Sequence, residues 1–151
     1  MNYNPEKNHR RSIRLKGYGY SQPGVYSVTI CSWNRECLFG DIVDGEMRLN
    51  EYGVVVEKFI NKISDRFNHT ELDCSIIMPN HVHVIIMVAG NVGAIHELPL
   101  RHEHALEYRK QRRIMLLSKI IGWFKMNSSK QINHIRNYPV CLSGNVIITN
   151  A

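Results

Sequence analysis

The chain has 151 residues, 44% of them hydrophobic, which is enough for one domain with a sizeable core and short for two. Lys and Arg number 19 against 13 Asp and Glu, a formal charge of +6, and the longest apolar run, Val84 to Ala89, falls far below the roughly 20 residues needed to cross a bilayer. Cys31, Cys37, Cys74 and Cys141 form no CxxC pair and no disulfide framework, and the polar start lacks a signal peptide's apolar stretch, so a reduced, cytoplasmic protein with no membrane partner is expected.

The basic residues are clustered. Arg10, Arg11, Arg14 and Lys16 crowd a basic arm over residues 1–20, and Arg109, Lys110, Arg112, Arg113, Lys119, Lys125 and Lys130 dominate the last third. Such clusters suit a polyanion, because each neutralised phosphate releases counterions and adds affinity.

After the arm, "GVYSVTICS" (residues 24–32) sets Val25, Ser27 and Thr29 against Tyr26, Val28 and Ile30 and is rich in β-branched residues, which predicts a strand. Trp33 and Phe39 follow in a turn-like stretch. Asp44-Gly45 tolerates positive φ at both positions and predicts a hairpin over Ile42 to Leu49. Asn50 is an N-cap for an amphipathic helix over "EYGVVVEKFINKISDRF", whose Val55, Val56, Phe59, Ile60, Ile63 and Phe67 recur at three and four.

"ELDCSIIM" and "HVHVIIMV" are two further strands, and the tight Pro79-Asn80 break between them predicts antiparallel neighbours. Residues 89–108 lose all periodicity and read as a variable loop. Its His102 and His104 repeat the His-x-His spacing without a strand to make them co-facial. A second helix is expected from about Tyr108, with Ile114, Leu117, Ile121 and Phe124 on one face, fading after Asn133. The order predicts an α+β fold: a ferredoxin-like split βαβ in one domain, with an antiparallel sheet, two helices on one face and the other face free.

On that free face the stretch "MPNHVHVIIM" places His81 and His83 side by side, since strand side chains alternate faces with period two. Two imidazoles so placed are within reach of one divalent metal ion. With phosphate oxygens completing the shell such a pair holds Mg or Mn, and the ion polarises a phosphoryl oxygen.

These residues carry a resemblance. "RRSIRLKGYGYSQPGVYSVTICSWNRECLFGDIVDGEMRLNEYG", "IIMPNHVHVIIMV" and "IIGWFKMNSSKQINHIRNYPV" occur in the order seen in the REP-associated tyrosine transposases of the IS200-like, single-tyrosine HUH group, which most of this chain resembles. The resemblance implies a transposase that cuts single-stranded DNA beside hairpin repeats. His81 and His83 would hold Mg or Mn against the scissile phosphate, and a tyrosine on a C-terminal helix would form a 5′-phosphotyrosine link that conserves the bond energy for rejoining. Arg10, Arg11, Arg14, Lys16, Lys125 and Lys130 would hold DNA phosphates.

The family's nucleophile sits in a motif close to Asn-Tyr-Tyr-Glu-His shortly after a segment like "INHIRNYPV". Here the chain continues "CLSGNVIITNA", and Tyr138 is the last tyrosine and the remaining candidate nucleophile. Residues 139–151 therefore read as an aberrant tail, and a truncated or frameshifted copy is expected, since codons for Asn-Val-Ile-Ile-Thr-Asn read in another frame can give a Tyr-Tyr-Tyr-Glu run. The expectation is a DNA-binding member of this family with impaired cleavage. The alternative is a non-catalytic module for hairpin or single-stranded nucleic acid, whose stacking aromatics on the open face would be Tyr18, Tyr20 and Tyr26.

Overall fold

The computed structural model describes residues 18–90 and 115–137, with the backbone of 148–150. The expectations for Arg10, Arg11, Arg14, Lys16, His102, His104 and Tyr138 lie outside the described residues, as does most of the 89–108 loop.

In chain order the elements are β1 (Gly24–Ser32), β2 (Gly40–Val43), β3 (Glu46–Leu49), α1 (Glu51–Asn61), α2 (Ile63–Arg66), β4 (Thr70–Met78), β5 (His81–Val88), α3 (Leu116–Ile135) and β6 (Ile148–Asn150). Four strands form one sheet in the order β4-β5-β1-β6, each antiparallel to its neighbour. The unit β1–α1–β4 is thus a βαβ split by β5, and β5–α3–β6 is a second one split by β1. This is the α+β, split βαβ arrangement, and it includes a fourth strand taken from the tail. Residues 148–150 pair with Ile30, Cys31 and Ser32, so the stretch read as an aberrant tail contributes an edge to the sheet.

The β5 alternation decides which way the sheet faces. Val82, Val84, Ile86 and Val88 are buried in one core with Tyr26 and Ile30 of β1, Val55, Val56 and Ile60 of α1, and Leu117, Ile120, Phe124 and Ile132 of α3. His81, His83, Ile85 and Met87 consequently emerge on the opposite face. Both long helices lie on the first face, and Trp123 of α3 joins them by edge contacts to Phe59 and Phe67, 5.9 and 5.8 Å between ring centres.

Three expectations are corrected. The helix over "EYGVVVEKFINKISDRF" is broken at Lys62, where ψ of −3° interrupts the helical backbone and a short second helix restarts at Ile63. The hairpin begins at Gly40 rather than Ile42 and forms its own two-stranded ribbon, with Asp44 and Gly45 at φ of 54° and 82° as the turn requires. Helix α3 begins at Leu116 after an extended Met115, and the expected helix start near Tyr108 lies outside the described residues. Its N-terminal N–H groups are received from a distance: Ser21 Oγ accepts from Leu116 at 2.9 Å and the Tyr20 carbonyl accepts from Leu117 at 3.2 Å.

The third correction concerns the aromatics. Tyr26 faces the helix layer and is buried, its hydroxyl donating to the Gln22 carbonyl at 2.7 Å. Tyr18 and Tyr20 gather around its ring, with centroids 6.5 and 5.9 Å away. The three tyrosines therefore close the end of the core where α3 starts, and the open face lacks them. Burial, followed by the neighbouring Tyr18 and Tyr20, pushes the Tyr26 phenol far above its usual range.

Strand β4 carries a bulge between Leu72 and Cys74. One extra residue reverses the alternation, so Thr70 and Leu72 share the core face before it while Ile77 shares that face after it. Ile76, 55% exposed, and Met78 are thereby turned out beside the histidines.

Candidate metal centre

The site is built from a two-residue turn and three strands. Pro79-Asn80 joins β4 to β5, and both carbonyls of the turn are taken up: Pro79 accepts from the Phe39 N–H and Asn80 from the Ser32 N–H, each at 2.9 Å. The Ser32 hydroxyl lies 2.6 Å from the Glu36 carbonyl and 3.0 Å from that of Asn80, adding a side-chain donor to the same corner. Phe39 and Ser32 are fully buried, so the turn that starts β5 is clamped from below by the end of β1 and the segment leading to the hairpin.

Two histidines project from this clamped start. Their rings are 4.8 Å apart between centroids and nearly perpendicular, at 86°. In register, His81 lies between Cys31 of β1 and Met78 of β4, and His83 between Thr29 and Ile76. His83 is exposed and His81 half-buried. Each ring has its Nδ1 engaged: Thr29 Oγ1 is 2.8 Å from Nδ1 of His83, and Asn80 Oδ1 is 2.6 Å from Nδ1 of His81. The hydrogen bonds that the described residues make to the two rings run through Nδ1, which makes Nε2 the atom each ring would offer a ligand. A metal-binding imidazole is usually held in this way, with one nitrogen on the ion and the other hydrogen-bonded to protein.

The electrostatics favour a neutral ring at His81. The His81 imidazole titrates below its ordinary 6.5, first because burial on the sheet disfavours the charged form, then because His83 and Arg35 add positive charge nearby. A neutral imidazole is the form that donates to a metal. Arg35 follows β1 in a turn where it and Asn34 take φ of 56° and 52°, and its carbonyl accepts from Asn80 Nδ2 at 3.3 Å.

The donor set fits a divalent cation in part. Among the described residues no group of three or more His, Cys, Asp and Glu side chains is arranged to hold an ion, and Cys31 does not complete one despite its place opposite His81. Two histidines would supply only part of a divalent cation's coordination shell, and oxygen atoms of a substrate or solvent would have to supply the rest.

Of the residues expected to meet DNA, Lys125 and Lys130 fall on α3, with Lys125 half-buried and Lys130 exposed. Helix α3 covers the sheet face opposite the histidines, so the structure does not bring these two lysines together with the pair. Asn80, Thr29 and Arg35 are the contributors that sequence reasoning passed over. Asn80 was legible only as a strand breaker, and Thr29 becomes a partner of His83 only once the β1–β5 register is known. No helix among the described residues is long and apolar enough to cross a membrane.

Over 99 residues the chain is 44% identical to an uncharacterized protein of Haemophilus influenzae. The match takes in 66% of this chain and 55% of the relative, so the chain spans about half the length of the curated protein it matches. No protein-family model and no solved structure matches it.

Proposed function

We propose that this chain binds single-stranded or hairpin DNA on the open face of its sheet, as a member of the transposase type that its motifs resemble, with His81 and His83 holding Mg or Mn against a DNA phosphate. The observation that carries this reading is the co-facial pair, its rings 4.8 Å apart and each hydrogen-bonded at Nδ1. A cation held there polarises a phosphoryl oxygen. His81, held toward its neutral form, donates to it together with His83, Asn80 and Thr29 keep the rings oriented, and the charge of Arg35 beside the pair favours an anionic ligand. The excess of Lys and Arg over Asp and Glu adds the salt-sensitive part of the affinity.

For residues 1–151 the proposed activity is binding, with strand cleavage impaired. Cleavage of the covalent kind needs a tyrosine at the histidine pair. Within residues 1–151 the candidate is Tyr138, which lies outside the described residues. The alternative of a metal-independent stacking module is weakened by the tyrosines, since Tyr26 is buried in the helix layer rather than displayed on the open face.

The test is a 5′-tailed DNA hairpin incubated with the protein and Mn²⁺ and run on native and denaturing gels. The reading predicts retardation that strengthens with Mn²⁺ and weakens in the His81→Ala, His83→Ala double variant, with no adduct surviving denaturation. A covalent adduct would mean that cleavage is retained. Retardation indifferent to metal and to both histidines would favour the stacking module, and no retardation at all would remove DNA as the ligand.

A further inference from the structure

The usefulness of a histidine as a metal donor depends on which ring nitrogen carries the proton, and the turn before β5 settles this for one ring of the pair. The side-chain amide of Asn80 has two chemically distinct ends. Its Nδ2 donates to the Arg35 carbonyl at 3.3 Å, and its Oδ1 lies 2.6 Å from Nδ1 of His81. Turning the amide over would set its oxygen against the Arg35 carbonyl oxygen, two acceptors facing one another, so the Arg35 backbone fixes the orientation. An amide oxygen only accepts. The His81 Nδ1 must then carry a proton, and in the neutral ring Nε2 must hold the lone pair.

His83 is treated differently. Its Nδ1 meets the Thr29 hydroxyl at 2.8 Å, and a hydroxyl either donates or accepts. Thr29 is thus compatible with both tautomers of His83. Asn80 is itself held firmly enough to act on its neighbour. Its carbonyl takes the Ser32 N–H, the preceding Pro79 carbonyl takes the Phe39 N–H, and its amide is tethered to Arg35.

We propose that Asn80 is a positioning residue that locks His81 as the Nδ1–H tautomer and so presets its Nε2 as a donor to a divalent cation, while Thr29 lets His83 adopt whichever tautomer the cation requires. The first half stands on hydrogen-bond geometry alone, and the second rests on the metal reading above. Asn80 is the support on which the more buried donor depends, and His81 is ready for a cation before one arrives.

The experiment uses the full chain, metal-free, at a pH above the ordinary histidine range, with long-range ¹H–¹⁵N NMR reporting which imidazole nitrogens carry protons. Mn²⁺ affinity is measured on the same samples by electron paramagnetic resonance. In the wild type, His81 is expected as a single tautomer with Nε2 unprotonated. Asn80→Ala should give a mixture of tautomers at His81 and weaken Mn²⁺ binding by about 10- to 100-fold, the usual consequence of losing a metal ligand's hydrogen-bond partner. Asn80→Asp gives up the donor to the Arg35 carbonyl but keeps an acceptor at Nδ1, and should restore the single tautomer, a rescue that a turn-stabilising role alone does not predict. Thr29→Val should leave His81 unchanged. An unprotonated Nδ1 at His81 in the wild type, or a His81 tautomer unaffected in folded Asn80→Ala protein, overturns the proposal. A locked tautomer in a chain that binds no Mn²⁺ upholds the role of Asn80 and overturns the metal reading.

Discussion

Replacing Gly53 with alanine tests whether the histidine turn is mechanically connected to helix α1. Gly53 is buried in the first turn of α1, and a Cβ built there would press on the Phe39 carbonyl oxygen, well inside the 3.0 Å that real Cβ contacts respect, with Leu49 close on another side. By helix propensity alone the change should stabilise, by about 1 kcal/mol. The clash acts against it, because the Phe39 carbonyl must retreat by a distance on the order of 1 Å, and overpacking of this kind costs about 1–3 kcal/mol. The same movement strains the Asn50 N–H bond to the Phe39 carbonyl and the Phe39 N–H bond to the Pro79 carbonyl, each worth about 0.5–1.5 kcal/mol. The net expectation is a destabilisation of about 2 kcal/mol, or roughly 4–8 °C in Tm for a domain of this size. The loss should be accompanied by weaker Mn²⁺ binding, since Phe39 holds the turn that launches His81. Urea or thermal unfolding gives the first quantity and a Mn²⁺ titration the second. A Gly53→Ala protein more stable than the wild type would refute the close approach. A destabilised variant with undiminished metal affinity would refute the connection from α1 through Phe39 to the pair.

Asn50→Ala removes the acceptor for the Tyr52 and Gly53 N–H groups, both at 3.0 Å, and the donor to the Leu38 carbonyl, so it should cost about 1–2 kcal/mol in denaturant unfolding. Phe124→Ala opens a cavity where the side chain is 1% exposed and should cost about 3–5 kcal/mol by the same measurement. His81 supplies a pH dependence. Its folded pKa lies below the ordinary 6.5, so the unfolded chain takes up the proton first and the His81 contribution to stability, fully present above that value, is lost as pH falls through 6.5 toward the folded pKa. Urea midpoints measured from pH 8 to pH 5 should fall in this window, and His81→Gln should flatten that part of the curve.

Much of the fold follows from side-chain alternation. The bounds of β1 and β5 coincide with the runs "GVYSVTICS" and "HVHVIIMV", and the opposed faces of His81/His83 and Val82/Val84/Ile86 follow from period two. The same rule, applied to β1, puts Tyr26 with Val28 and Ile30 and therefore in the core, where its bulk fills the end of the helix layer. Bulges defeat the rule: the break in β4 register between Leu72 and Cys74 reverses the facing of everything after it and brings Ile76 and Met78 beside the histidines. Strand β6 was hidden because a three-residue edge strand has too little pattern to read, and its pairing with Ile30, Cys31 and Ser32 is a tertiary fact. In the site, the co-facial histidine pair was legible from spacing, whereas its supports were not. Thr29 is 54 residues from His83 in sequence, and the role of Asn80 depends on the carbonyl of Arg35, 45 residues away.

The central claim is that His81 and His83 together hold a divalent cation that faces DNA. It is tested most directly by titrating Mn²⁺ into the wild type, His81→Ala and His83→Ala proteins, with and without a single-stranded hairpin DNA, and counting bound ions by electron paramagnetic resonance. The account predicts one site in the wild type, tightened by DNA and lost in either variant. Equal Mn²⁺ binding in all three proteins, unmoved by DNA, would contradict it.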